Sequence, residues 1–296
     1  MEVISKLQIL RKLDTKKKSF QVVILDCKFN KNSYNGKILG LTLTDWIKFS
    51  CGDLPVSTYK FDEKKSILEF IKAIDLKNSD YTIILLSKTP LISKITLDNI
   101  IEYVSIKECK LCKLPVGYVI ENKSIHDEKL NVDSIYSQDI EDFYLVESKA
   151  QFNYAYSVLR DRINNFHLSN GVEIISPDKT YIEPFVDISD GVIIYPNNSL
   201  KGESIISSNV ILKENNVIDN SKIGSNSCLS GSVITNSVIS SNVYVSAFCE
   251  IKDSLIGKDT LIAKGVSINK YKVDDNSKIS ANTILGETND SDSGTR

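Results

Sequence analysis

From Tyr181 onward an aliphatic side chain recurs about every six residues: Ile182, Ile188, Ile194, Leu200, Ile206, Leu212 and Ile218. The series then slips by one residue at intervals, through Ile223, Leu229, Ile234, Ile239, Val245, Ile251, Ile256, Ile262 and Ile268. A period of six matches neither the 3.6 of a helix nor the 2 of an amphipathic strand. It does match one short strand plus a turn, so that three units close one coil of a β-solenoid. Each inward aliphatic then stacks on those of the coils above and below, and each burial contributes roughly 1.5–3 kcal/mol. Between them sit small polar residues, as in Ile223-Gly224-Ser225-Asn226 and Ile256-Gly257-Lys258-Asp259. These turn the corners, where Gly and Asn tolerate positive φ. A stretch of roughly 100 residues predicts on the order of six coils.

Composition changes near residue 170. Before it, Phe20 to Asp26 (FQVVILD) and Tyr81 to Ser87 (YTIILLS) read as buried strands. Between them Asp62 to Asp75 places Ile67, Leu68, Ile71 and Ile74 on one helical face, and Ser93 to Ile106 does the same with Ile95, Leu97, Ile100, Ile101 and Val104. Such alternation predicts a parallel sheet with helices packed on it. A longer helix from Ser148 to Phe166, with Tyr154, Val158, Leu159 and Ile163 inward, closes this half. The chain is therefore divided into an α/β domain (1–158), a linker helix and junction (159–180), a β-helix (181–286) and a polar, disordered tail (287–296).

Thirty-six basic against 38 acidic side chains give a net charge of −2, without the basic excess of a nucleic-acid binder. No apolar run approaches the ~18 residues of a membrane span, and MEVISKLQIL is not a signal-peptide pattern. Six unevenly spaced cysteines suit reduced thiols in a cytoplasm better than a disulfide framework. Lysine outnumbers arginine 32 to 4, and the Lys-, Asn- and Ile-rich usage fits a bacterial, AT-rich genome. Only two histidines occur: His126, expected on a surface loop, and His167, expected to pack or cap. Cys109-x-x-Cys112 lacks a second paired cluster for zinc and, read as a strand, turns its thiols to opposite faces. Cys228 and Cys249 are expected to serve as small hydrophobes within the coils. An N-terminal basic stretch (Lys6, Arg11, Lys12, Lys16 to Lys18) with Ile4, Leu7, Leu10 and Leu13 reads as an amphipathic helix, either a solvated cover or a binder of a partner or anionic surface.

The hexapeptide pattern resembles the left-handed parallel β-helix of bacterial acyltransferases, and the handedness is implied by that resemblance. At the junction, Leu159-Arg160-Asp161-Arg162-Ile163-Asn164 is followed by His167, Asn170-Gly171-Val172, Pro177, Thr180-Tyr181-Ile182 and Tyr195-Pro196. This order resembles the bifunctional N-acetylglucosamine-1-phosphate uridyltransferase / glucosamine-1-phosphate acetyltransferase (GlmU-type) family over residues 144–257. Over 20–143 only Thr89-Pro90-Leu91-Ile92, Pro115 and Gly117-Tyr118 keep the family's order. The resemblance implies a shortened Rossmann-like nucleotidyltransferase domain before the β-helix, with Gly117 and Tyr118 facing substrate. In the β-helix, Phe248-Cys249-Glu250-Ile251-Lys252 is similar to the family's Phe-x-Glu-x-Lys segment, which makes Glu250 and Lys252 binding residues, Lys252 for the phosphate of an amino-sugar phosphate.

Departures from the family concentrate on its chemistry. The phosphate-cradling Gly-rich loop is Cys27-Lys28-Phe29-Asn30-Lys31-Asn32, without glycine. The metal-binding Gly-Asp is Ser87-Lys88, and the second metal ligand, an Asn in the family, aligns with Glu147. No histidine follows His167 to act as the acetyl-transfer base, and the phosphate-binding arginine is absent as well. The leading reading is thus a truncated, degenerate relative without assigned catalytic or metal-binding residues. It would act in binding or structure, with a sugar nucleotide or sugar phosphate as ligand and a homotrimer formed through the β-helix. An active transferase with altered residues, using magnesium and acetyl-CoA, is the alternative, and an oligomerisation scaffold is the third.

Overall fold

The computed structural model describes residues 18–27, 36–62, 64, 66–74, 76 and 79–287. Most of the basic N-terminal stretch, residues 28–35 and the tail from 288 lie outside the described residues. The chain divides into two compact units, one ending at Ala155 and the other starting at Tyr156 and taking in Ile38–Gly40.

The first unit is built on a six-stranded sheet of order β2-β1-β3-β5-β4-β6. Its strands are β1 (Phe20–Cys27), β2 (Val56–Phe61), β3 (Tyr81–Leu86), β4 (Leu111–Lys113), β5 (Tyr118–Glu121) and β6 (Ser134–Ile135). The apolar run of β1 is continuous because both its faces are covered. Val22 and Ile24 join the core with α1 (Leu43–Cys51) and α3 (Lys94–Lys107) on one side, and Val23 and Leu25 join α2 (Ile67–Lys72) on the other. Side chains cap both longer helices: Thr42 accepts from Asp45 N–H, and Ser93 from Thr96 N–H.

Four sequence expectations change here. β1, β2 and β3 are parallel, but β5 runs antiparallel to β3, because Leu114 N–H donates to Gly117 O (3.1 Å) and folds β4 and β5 into a hairpin. The helix read over Asp62 to Asp75 contracts to Ile67–Lys72. Ile95 is 72% exposed, since two residues of helix turn it about 200° from Leu97. By the same geometry α4 (Lys149–Ser169) buries Phe152, Ala155 and Leu159 and leaves Tyr154 exposed.

The second unit is a parallel β-solenoid of three sheets with seven, seven and six strands, as the period of six predicts. There are seven levels rather than six on the first face, because Glu173–Ile174 already pairs with Ile193–Ile194. All sixteen aliphatics of the periodic series are buried, none more than 7% exposed. One corner is turned by Asn209, Asn226, Asn242 and Asp259, each with φ between 56° and 61°. Their side chains form a ladder, Asn209 donating to Asn226 (3.3 Å), Asn226 to Asn242 (3.3 Å) and Asn242 to Asp259 (2.9 Å). Asn therefore serves twice, tolerating the left-handed backbone and hydrogen-bonding to the next coil.

The residues between the inward aliphatics form outward columns. On the first face the column reads Glu173, Ile193, Ile211, Cys228, Tyr244, Leu261 and Lys278. Cys249 packs inside the coil as expected, but Cys228 belongs to this outward column and is half-buried.

His167, near the end of α4, is 4% exposed, and burial pushes its pKa below the ordinary value, with Asp187 opposing. The unfolded chain therefore takes up this proton first, so stability is complete above about pH 6.5 and is lost as pH falls below it. The melting temperature of the wild type should fall more steeply below that pH than that of His167→Gln; equal slopes would refute the assignment. No helix among the described residues is long and apolar enough to cross a membrane.

Candidate functional site

Ligands of open α/β sheets bind beyond the carboxyl ends of the parallel strands. At that edge β3 runs into Ser87, Lys88 and Thr89. Ser87 ties the edge together: its N–H donates to Leu25 O (2.9 Å), and its Oγ accepts from Cys27 N–H (3.1 Å). Thr89 Oγ1 donates to Leu86 O (2.8 Å) and tightens the turn. Lys88 is held in place by Val146 N–H, which donates to its carbonyl (2.8 Å). Its side chain is only 3% exposed, and Nζ lies 3.5 Å from Glu147 Oε1. The two positions that the family resemblance assigns to metal binding thus form an ion pair.

Gly117 and Tyr118 stand at the same edge, because antiparallel β5 starts where β3 ends, with Ile84 opposite Tyr118. Gly117 has φ +107°, and a Cβ there would lie 2.0 Å from Ile84 O, so the position admits no side chain. Lys113 Nζ donates to Tyr118 Oη (2.9 Å) and sits 4.1 Å from the ring centroid, a cation–π contact. Lys113 escaped the sequence reading. The signal that could have found it is the Pro115-x-Gly117 turn between two short apolar runs, which folds residue 113 back onto residue 118.

The resemblance implies a magnesium ion at this edge, and the residues do not fit one. Magnesium demands near-octahedral oxygen ligation. Here Glu147 faces an ammonium that already supplies positive charge and repels a second cation. Among the described residues no group of three or more His, Cys, Asp or Glu is gathered to hold a metal ion.

At the opposite edge of the sheet lies a cleft of about 820 Å³. Its polar walls are turned on one another: Asp80 Oδ2 accepts from Ser19, Asn122 donates to Leu76 O and Ser79 O, and Glu121 pairs with Lys123 at 2.8 Å. Size alone does not make it the site, since it lies at the amino ends of β1 and β3. His126 is exposed on its rim. Cys109 and Cys112, expected on opposite faces, both enter the same side of the core, because Cys109 precedes β4 and strand alternation does not govern it. Cys109 and burial together raise the Cys112 thiol pKa.

On the solenoid Glu250 and Lys252 flank inward-pointing Ile251 on the outer side of the second face. Register places Glu250 between Val233 and Ser267, and Lys252 between Thr235 and Asn269. Phe248 turns the adjoining corner with φ 62° and its ring 82% exposed. That backbone is strained for a bulky residue, and such strain concentrates at functional positions.

A three-faced parallel solenoid wound from hexapeptides places the second unit among the hexapeptide-repeat proteins. More narrowly, residues 209–295 match the family described as GlmU-like, C-terminal hexapeptide. The C-terminal half of the chain is a relative of the GlmU type. It is 38% identical over 143 residues to the bifunctional protein GlmU of Clostridium beijerinckii, covering 48% of this chain and 31% of the relative. It is 35% identical over 152 residues to that of Clostridium acetobutylicum, covering 51% and 33%. The chain thus spans about a third of the length of the curated relatives it matches. Among solved structures, a Francisella novicida UDP-N-acetylglucosamine acyltransferase covers 40% of this chain and 55% of its own at 19% identity, with a TM-score of 0.24.

Proposed function

We propose that this chain is a relative of the UDP-N-acetylglucosamine pathway enzymes in which both transferase sites are impaired, and that it acts in the cytoplasm as a binding or structural protein. The observation that carries this reading is the Lys88–Glu147 pair at 3.5 Å. An ammonium fixed where the family resemblance implies a divalent cation supplies charge but no open coordination position, so it cannot polarise a transferring phosphoryl group as a metal does. Gly117 and Tyr118 at this edge, and Glu250 and Lys252 on the solenoid, are the residues proposed to meet a sugar nucleotide or sugar phosphate. Association through the solenoid, as a homotrimer, belongs to the same reading. The alternative reading, acyl transfer at Lys252, lacks a histidine base within reach along the solenoid, since none follows His167.

Assays with magnesium, UTP and N-acetylglucosamine 1-phosphate, and with acetyl-CoA and glucosamine 1-phosphate, should give no turnover above a heat-killed control. Turnover in either would overturn the impaired reading. A retained binder should be stabilised by UDP-N-acetylglucosamine by about 2.7 kcal/mol at 100 times its Kd; no shift with any sugar nucleotide, sugar phosphate or CoA would leave a scaffold. Lys88→Asp sets two carboxylates at the edge. In that variant, magnesium at ten times its Kd should raise stability by about 1.4 kcal/mol, with no shift in the wild type. An equal shift in the wild type would show that the ammonium does not exclude the ion.

A further inference from the structure

On the side of α3 turned away from the sheet, Ile95 is 72% and Ile106 71% exposed. They lie about three turns apart and share one strip of the helix, with Asp98 and Glu102 exposed between them. Lys94 and Lys107 each stand one residue beyond that pair, about 100° around the helix, which leaves the strip itself acidic and apolar. Asn99 donates to Asp139 (3.0 Å), and Ile140, the next residue, borders the strip at 62% exposure. β-Branched side chains left so open in one line mark a surface that another element covers.

We propose that this strip is the docking surface for residues 1–17 of the same chain, bound as the basic amphipathic helix that their sequence predicts. Position, charge and length all favour this occupant. Lys18 delivers the chain to the Ile106 end of the strip: its Nζ lies 3.0 Å from Oε1 of Glu108, directly after α3, and 5.5 Å from the Tyr81 ring centroid. Residues 1–17 hold five basic side chains against Glu2 and Asp14, opposite in sign to Asp98, Glu102 and Glu108. Ile4, Leu7, Leu10 and Leu13 fall within one half of a helix's circumference.

The lengths match. Ile4 to Leu13 spans about 14 Å as a helix, and Ile95 to Ile106 about 16 Å. The stretch from Leu13 to Lys18 reaches up to about 17 Å when extended, enough to set Leu13 at Ile106. The mode is a helix laying its apolar side on an apolar strip. Two or three isoleucines fall well short of the interface that separate chains need. A tethered segment needs less, because its effective concentration is on the order of millimolar. This docking is independent of the proposed function.

The test is amide hydrogen exchange of residues 2–17 in the full chain, each form read by mass spectrometry against a synthetic peptide of its own N-terminal sequence. The wild type should exchange at least about tenfold more slowly than its peptide. Ile95→Ser with Ile106→Ser, and separately Asp98→Lys with Glu102→Lys, should each reduce that protection by about fivefold or more. Both pairs change exposed side chains, so the native emission of buried Trp46 should persist and show that the unit is folded. Adding Arg11→Glu and Lys12→Glu to the acid reversal should restore protection to within about threefold of wild type. Wild-type exchange as fast as the peptide overturns the proposal. So does protection that the strip variants leave unchanged, or a charge reversal that the second pair fails to rescue. Protection that rises with protein concentration places the segment on a second copy and overturns it as well.

Discussion

Gly117→Ala is expected to destabilise the first unit by about 3–5 kcal/mol, the sum of a strained left-handed backbone and an overpacked contact. The added Cβ would lie 2.0 Å from Ile84 O, and Ile84 is the residue that β5 pairs with through Tyr118. The clash is with backbone, so no rotamer change relieves it; either the hairpin or the β3–β5 pairing has to move. Set against the 5–15 kcal/mol that usually holds a domain, the loss is large. Trp46, the chain's one tryptophan, is buried in this unit, and its fluorescence in a urea titration reports on that unit. An unchanged midpoint would show that the turn accommodates a side chain. The resemblance assigns Gly117 to substrate; the geometry gives it a structural duty whatever binds there.

Ile234→Ala should cost the solenoid about 2–5 kcal/mol through lost burial and the cavity left behind. Ile234 is fully buried and stacked between Ile218 and Ile251, so the cavity opens in the middle of a column whose neighbours are fixed by their own rungs. Val233→Ala, one residue earlier and pointing outward at 42% exposure, should change stability by less than about 0.5 kcal/mol. The comparison, read by the far-UV circular dichroism of thermal unfolding, isolates the inward–outward alternation from chain position. Equal losses at the two positions would refute the assigned register.

Much of this solenoid was legible because its determinants are local and repeat. An aliphatic every sixth residue, with Asn, Ser or Gly between, states both the strand and the corner within one unit, and each repeat confirms the last. The two strands of the first unit were legible for a related reason: runs such as FQVVILD are apolar throughout because both faces are covered. Helix faces were read less well. Ile95 and Tyr154 are apolar and nearly in phase, but the stripe that meets the sheet is only as wide as the sheet allows, and both fall outside it.

The candidate site was legible only in part. Ser87-Lys88 and Glu147 were singled out by comparison with a family pattern, some sixty residues apart in the chain. Nothing in either segment states that they meet at 3.5 Å, which follows from Val146 docking on the carbonyl of Lys88. Gly117-Tyr118 and Lys113 came together through a hairpin whose antiparallel strand interrupts the parallel order that alternation alone predicts. Cys109 and Cys112 were set apart by a strand that in fact begins only at Leu111.

The sequence by itself determined the solenoid, its period and its inward column, because stacking identical short units needs only nearest-neighbour contacts along the chain. It showed as well that residues 27–32 hold no glycine and that no histidine follows His167, which are facts of composition. Only the tertiary structure decided that Lys88 pairs with Glu147 and that Gly117 has no room for a side chain. Those are contacts between segments distant in the chain, and packing rather than local propensity selects them.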